Sequence, residues 1–124
     1  MEEDPLDAGT LEQLRELGDD SFIAELAEMY LGDFEPTYAK LLAANQDGDW
    51  PTAVASSHFL KGSSMSLGLV ALGTVFSRVE AHFRADGGAL DQATLDELQT
   101  RADQAHARLQ ILLAETEESG TTGR

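Results

Sequence analysis

The chain contains the stretch Ser57-His58-Phe59-Leu60-Lys61-Gly62-Ser63-Ser64-Met65-Ser66-Leu67-Gly68 in the middle of a helical pattern. A glycine in a helix interior costs about 1 kcal/mol relative to alanine, so Gly62 needs a specific reason there. At helical spacing, His58, Lys61 and Gly62 fall on one face. That face offers an imidazole, an ammonium group one turn away, and no side chain on the C-terminal side of the imidazole. The pattern indicates an exposed histidine that receives a bulky anion.

The order of these residues resembles the signature of histidine phosphotransfer (HPt) domains, with a histidine, a lysine, a glycine, two serines and a closing Leu67-Gly68. Residues 22–30 and 72–84 resemble the same family, so the resemblance covers residues 6–113. HPt domains are four-helix bundles that carry a phosphoryl group on a histidine between response-regulator receiver domains. The resemblance implies a phosphotransfer protein of a two-component phosphorelay. It would accept the group on His58 from a receiver-domain phospho-aspartate and pass it on.

The same resemblance implies the partners and the cofactors. The partners are receiver domains and a sensor histidine kinase, which can be a hybrid kinase, and the receiver holds the Mg²⁺. We expect this chain itself to bind no cofactor and no metal. It has neither a glycine-rich nucleotide loop nor a P-loop, and a single bundle leaves no room for an ATP-binding domain. The prediction is therefore a phosphotransfer intermediate, not an enzyme that makes phosphohistidine from ATP.

Composition excludes several other classes of protein. With 23 acidic and 8 basic residues, the formal net charge is −15, so nucleic acid and anionic membrane surfaces repel the chain. The sequence contains no cysteine and therefore no disulfide or thiolate chemistry. It has no apolar run of membrane-spanning length, and its acidic start is unlike a signal peptide. We expect a soluble, cytoplasmic protein and, without a sustained heptad seam, a monomer.

The spacing of apolar residues predicts an all-α fold, an antiparallel four-helix bundle with a short extra N-terminal helix. Thr10 is the expected cap of that short helix, with a glutamine at capping-box spacing. The following helix is expected to break or kink near Gly32, with Pro36 in the first turn of a second piece. The domain is predicted over residues 1–114, and the polar residues 115–124 are predicted to form a disordered tail.

The motif helix is predicted from Trp50 to Leu67 with Asp49 as its cap. Its buried stripe should consist of residues at helical spacing, namely Trp50, Ala53, Ser57, Leu60, Ser64 and Leu67. His58 lies one residue, or about 100°, round the helix from Ser57. We therefore expect its ring at the border of the stripe, held from one side and accessible from the other.

Residues after the histidine are the first candidates to support phosphotransfer. Lys61 can stabilise phosphate, because an ammonium group is a favourable partner for phosphoryl oxygens. Gly62 can provide access, because a side chain there would meet the incoming group, although close helix packing is an alternative use of a helix glycine. Ser63 is a candidate to orient phosphate. Ser64 lies on the predicted buried stripe and is expected to serve packing.

The next helix supplies two more candidates, Glu80 and Arg84. Members of the family commonly have a polar residue near this position that accepts a hydrogen bond from the second ring nitrogen of the histidine, which would orient the imidazole. Glu80 can play that part, or it can form an intrahelical pair with Arg84 at i+4. Arg84 resembles a second basic residue found near the site in some members.

Other interpretations remain open at this stage. His82 and His106 are expected to be solvated helix residues, and a metal site of His58, Glu80 and His82 is disfavoured because residues 80 and 82 point about 200° apart on a helix. A different class of function is a helical docking module that binds receiver or kinase domains without being phosphorylated. A third is a bundle metalloprotein or small-molecule enzyme, which would contain metal after purification.

Overall fold

The computed structural model describes residues 4–122, with side chains described for residues 4–116. Over this range the chain forms five helices and no strand: α1 (Ala8–Leu17), α2 (Asp20–Asp47), α3 (Trp50–Ser66), α4 (Val70–Arg84) and α5 (Gln92–Thr122). The all-α prediction is confirmed. Helix α3 begins where the sequence predicted it, after the cap residue Asp49.

Helices α2 to α5 form the bundle. Helix α2 packs against α3 and α5, and α4 packs against the same two helices, so the four enclose one core. The largest side chains of that core are completely or almost completely buried and come from all four helices, namely Ile23, Phe34, Leu41, Leu60, Leu72, Phe76, Leu98, Leu109 and Leu112. Burial of such side chains contributes about 1.5–3 kcal/mol each and is the main force that holds the helices together.

Helix α2 is one continuous helix of 28 residues, so of the two predicted alternatives near Gly32, a break or a kink, the break is wrong. Pro36 lies inside it, although a proline cannot donate to the carbonyl of residue 32. Tyr30 and Phe34 before the proline and Tyr38 after it are all buried, and the rings of Phe34 and Tyr38 stack at 5.1 Å. Packing along both halves of the helix outweighs the missing hydrogen bond, because tertiary contacts supply most helical stability in proteins.

The N-terminal segment closes one end of the bundle at the α3–α4 turn. Asp7, not Thr10, caps α1, because the Asp7 carboxylate accepts the N–H of Thr10 at 2.9 Å. The Asp7 N–H in turn donates to the carbonyl of Gly68 at 2.8 Å. Gly68 has φ +84° and a Cβ there would meet Thr10 at 2.8 Å, so this contact requires glycine. The predicted cap was wrong because Asp7 is one turn earlier and equally suitable.

Helix α5 extends to Thr122, and the disordered tail predicted for residues 115–124 stays a prediction. The chain has neither glycine nor proline between Ala114 and Gly120, and adding residues to an existing helix needs no new nucleus. Local propensity therefore continues the helix beyond Leu112, which is buried. The domain boundary at residue 114 stays a prediction, and the tail prediction for residues 123–124 lies outside the described part of the chain.

Candidate functional site

Helix α3 presents His58 to solvent at the edge of the bundle. The Asp49 carboxylate accepts the N–H of Thr52 at 3.4 Å and starts the helix. Ser57 and Leu60 are completely buried, which fixes the rotation of the helix about its axis. The neighbouring His58 side chain is 63% exposed. It therefore lies where the spacing of the stripe predicted it, at the border between core and solvent.

Helix α4 brings a carboxylate to one side of the imidazole ring. Glu80 is buried, as are Phe76 and Phe83 one turn to either side of it, and its Oε2 lies 3.0 Å from Nδ1 of His58. An ionised carboxylate can only accept a hydrogen bond, so Nδ1 carries the proton in this contact. A neutral ring in that tautomer has its free lone pair on Nε2. Glu80 thus fixes both the orientation of the ring and the nitrogen that can act as a nucleophile.

Two cationic side chains contact the same carboxylate. Nζ of Lys61 lies 2.8 Å from Oε1 of Glu80, and Nε of Arg84 donates to Oε2 at 2.8 Å. The two predicted alternatives for Glu80, a contact with His58 and an i+4 pair with Arg84, therefore occur together. Burial of Glu80 favours its protonated form, but the hydrogen bonds from Lys61, Arg84 and His58 outweigh burial and lower its pKa to about 2. Glu80 is therefore ionised at neutral pH.

The surface beside the imidazole is open at Gly62. A Cβ built on Gly62 would have no neighbouring atom within 4 Å. Close packing of another helix therefore does not explain this glycine in the described part of the chain, and the predicted access role remains. The hydroxyl of Ser63 donates to the carbonyl of Leu60 at 3.3 Å, so it is turned towards its own helix.

Ser64 has a packing role, as its place on the stripe indicated. It is completely buried, and its hydroxyl forms a 3.0 Å hydrogen bond with the phenol of Tyr30 on α2. Burial raises the pKa of Tyr30 to about 12, although the hydrogen bond to Ser64 acts in the opposite direction. The pair ties α3 to α2 beneath the site, and this link was not predicted.

The ion pair between Lys61 and Glu80 was also not predicted, although both residues were candidates. Helical spacing relates residues of one helix, whereas this contact depends on how α3 and α4 pack against each other. The sequence offered one signal. Glu80 is the single acidic residue between Asp49 and Asp86, and a lone acid among several bases is a natural shared partner for them.

The other two histidines are not simply solvated, so that prediction is wrong. His82 is half-buried, and its Nε2 lies 2.9 Å from the carbonyl of Gly88, in the loop before α5. His106 is also half-buried and packs edge-on against Phe34 with ring centroids 4.4 Å apart. Burial lowers the pKa of His106, although Glu35 and Asp103 act in the opposite direction. Each ring therefore contacts a part of the chain outside its own helix turn, His82 the loop before α5 and His106 the ring of Phe34.

Neither a metal centre nor a membrane span is present in the described residues. No group of three His, Cys, Asp or Glu side chains there could hold a metal ion. His82 points to Gly88 and not to Glu80. No helix in the same part of the chain is long and apolar enough to cross a bilayer.

Comparison with known proteins supplies one match. The family model described as "Hpt domain" matches residues 25–108, which is more than half of the chain and includes α3 and α4. Searches of curated proteins and of solved structures found no match.

Proposed function

The chain belongs to the Hpt domain family, and we propose that it carries a phosphoryl group on His58 in a two-component phosphorelay. The donor in this proposal is a receiver domain with a phospho-aspartate, and the acceptor is a second receiver. A sensor histidine kinase, which can be a hybrid kinase, would phosphorylate the first receiver. One observation carries the proposal: a mostly exposed imidazole whose Nδ1 is held by a buried carboxylate at 3.0 Å.

The chemical step needs little from this chain beyond a positioned nucleophile. The lone pair of Nε2 attacks phosphorus in line, an N–P bond forms, and the O–P bond to the aspartyl carboxylate breaks. The aspartate leaves as a carboxylate, and the ring, which keeps its proton on Nδ1, becomes a phosphoimidazolium. Glu80 remains ionised because its pKa is about 2, so its charge offsets the positive charge that develops on the ring. The reverse reaction delivers the group to the next aspartate.

The remaining residues of the site have supporting parts in this proposal. Gly62 leaves room for the phosphoryl group and for the donor domain. Lys61, whose side chain is 31% exposed, can turn from Glu80 towards the phosphoryl oxygens. Ser63 is a weaker candidate, since its hydroxyl already donates to a backbone carbonyl. The Mg²⁺ that activates the phospho-aspartate belongs to the receiver in this proposal, and Glu80 and its partners need no metal of their own.

Intact-mass spectrometry after incubation with phosphorylated receiver domains tests the proposal. We expect one added phosphoryl group that is stable at neutral pH and lost after brief acid treatment, as an N-phosphoryl group would be. His58→Gln should keep the helical circular dichroism spectrum and gain no mass. His82→Gln is the matched control, because it changes a histidine of α4 that bonds to Gly88 and should be phosphorylated normally.

Two outcomes would contradict the proposal. Phosphorylation that persists in His58→Gln would place the group elsewhere. Receivers that bind the wild-type protein tightly, whatever their phosphorylation state, and leave no mass on His58 would favour a docking module instead.

A further inference from the structure

His106 lies at the contact between α2 and α5, the two helices of the bundle that do not carry the candidate site. Its ring packs edge-on against Phe34 with centroids 4.4 Å apart, and its centroid lies 6.2 Å from that of Tyr30. Both of these α2 rings are buried, whereas the imidazole is half-buried and lies between them and solvent. We call the three rings of Tyr30, Phe34 and His106 the α2–α5 seam.

One nitrogen of this imidazole lacks a partner. Nε2 of His106 is buried and forms no hydrogen bond with any side chain or backbone group of residues 4–116. A neutral imidazole can leave its lone pair on that nitrogen and carry its single N–H on Nδ1. A protonated imidazole carries an N–H on both nitrogens, so a charged donor would then be buried without an acceptor. Because such a donor is costly to bury, protonation works against the inner position of the ring.

Acceptors for a charged ring lie at the surface beside the seam. Asp103 precedes His106 by three residues, which places the two on one face of α5, and Glu35 lies on α2. Both carboxylates are exposed. Burial lowers the pKa of His106, and the charges of Glu35 and Asp103 act in the opposite direction. The inner position therefore suits the neutral ring, and a position towards the two carboxylates suits the charged ring.

Two tyrosines of α2 also pack against Phe34, namely Tyr30 and Tyr38. Burial raises the pKa of Tyr30 to about 12. Burial, together with the charges of Asp103 and Glu35, raises the pKa of Tyr38 as well. Both phenols are therefore neutral wherever a histidine titrates, and the charge that changes at the seam is that of the imidazole.

We propose that His106 is a pH-operated latch with two positions. The neutral ring lies inside, against Phe34, and holds α5 to α2. The protonated ring turns about its side-chain bonds to another rotamer, leaves the seam and pairs with Glu35 and Asp103. Phe34 then loses a neighbouring ring, so the contact between α2 and α5 loosens. Mild acid thus opens this side of the bundle.

The contacts of the candidate site persist through the same change of pH. Glu80 has a pKa of about 2, so it stays ionised over the whole range in which a histidine titrates. Its ion pairs with Lys61 and Arg84 join α3 to α4 and within α4, away from the seam. The latch therefore opens at a pH at which α3 and α4 keep their arrangement.

NMR on the full chain tests the latch. The ¹⁵N shifts of each imidazole report its protonation, and nuclear Overhauser effects (NOEs) from the ring of His106 to that of Phe34 report its position. Between about pH 8 and about pH 5, we expect these NOEs to disappear with the same midpoint as the protonation of His106. Amide exchange, corrected for its intrinsic pH dependence, should show that α5 loses protection relative to α3 by up to about tenfold per pH unit.

Variants of the seam identify the group responsible. His106→Phe keeps a ring in the seam but carries no charge, so the relative protection of α5 should not depend on pH; His106→Gln serves the same measurement if the phenylalanine variant does not fold. Glu35→Gln combined with Asp103→Asn removes the outer acceptors, and should lower the midpoint of His106 protonation and preserve the NOEs to lower pH. His82→Gln is the matched control, because that half-buried ring bonds to Gly88 and the response of α5 should be unchanged.

Three outcomes would overturn the latch. NOEs to Phe34 that persist in the protonated ring would show that the seam accommodates the charge in place. An equal loss of α5 protection in His106→Phe would assign the loosening to another group. A His106 that stays neutral until the whole chain unfolds would show that the charged position is not reached. These measurements need no phosphorylation of His58, so this inference and the proposed function stand or fall separately.

Discussion

Replacing Glu80 by glutamine tests the contact on which the site depends. Glu80 accepts hydrogen bonds from His58, Lys61 and Arg84 on two carboxylate oxygens. A glutamine side chain has one acceptor oxygen and an NH₂ group, which can only donate. The amide therefore cannot satisfy three donors. We expect the ring of His58 to lose its fixed orientation and to populate both neutral tautomers.

The size of the effect follows from the exposure of the ring. A hydrogen bond to a charged group contributes about 1.5–3 kcal/mol. The His58 side chain is 63% exposed, so water replaces part of what is lost and the lower end of that range applies. About 1.4 kcal/mol corresponds to a factor of about ten in rate. We therefore expect Glu80→Gln to slow phosphotransfer about tenfold without abolishing it.

Two measurements on the same variants check this prediction. The ¹⁵N chemical shifts of the His58 ring report which nitrogen carries the proton, and single-turnover transfer from a phosphorylated receiver gives the rate. Glu97→Gln is the matched control, because Glu97 also accepts a hydrogen bond from an arginine of α4, Arg78, at 2.8 Å. It contacts no histidine in the described structure, so tautomer and rate should both stay at the wild-type values.

Wild-type tautomer populations and a wild-type rate in Glu80→Gln would refute the reasoning. The 3.0 Å contact would then have no effect on the reactivity of the ring. A slower rate with an unchanged tautomer would separate the two effects, and would assign Glu80 the electrostatic part alone.

Four further predictions follow from the same structure. Gly62→Ala should raise the free energy of unfolding in urea by about 0.5–1 kcal/mol, because the new Cβ meets no atom within 4 Å and alanine favours helices. Gly62→Leu should stay folded but accept the phosphoryl group slowly. A wild-type rate of transfer to Gly62→Leu would reject the access role of Gly62. Tyr30→Phe should lower the free energy of unfolding by about 1–2 kcal/mol, because it removes a buried 3.0 Å hydrogen bond to Ser64; an unchanged urea midpoint would show that this link contributes nothing. Burial lowers the pKa of His106 from 6.5, so below about pH 6.5 the unfolded chain binds a proton on this ring more readily than the native protein does. The free energy of unfolding should therefore fall as pH drops below about 6.5. His106→Gln should lose less stability over that range, and the same pH dependence in both proteins would contradict this prediction. The pKa of Glu80 falls from 4.5 to about 2 on folding, so its contribution to the free energy of unfolding is present above pH 4.5 and should disappear as pH falls towards 2. Urea titrations of Glu80→Gln should not show this loss of stability.

Helix positions and the reactive face were accessible from the sequence, because both depend on local spacing. The buried residues Ala53, Ser57, Leu60 and Ser64 occupy the stripe that a period of 3.6 residues predicts. The break expected in α2 and the solvated histidines were predicted wrongly because distant contacts decided there. Pro36 stays inside a helix because aromatic rings on both sides of it share one core.

The sequence alone determined that His58, Lys61 and Gly62 share one helix face, since residues three and four apart on a helix are neighbours in any fold. Only the tertiary structure decided that Glu80 lies beneath that face and holds His58, Lys61 and Arg84 at once. It also decided that His106 packs against Phe34 instead of facing water. The physical reason is common to both cases: contacts between helices depend on how each helix is rotated and shifted against its neighbour, and the packing of the whole core sets those two quantities.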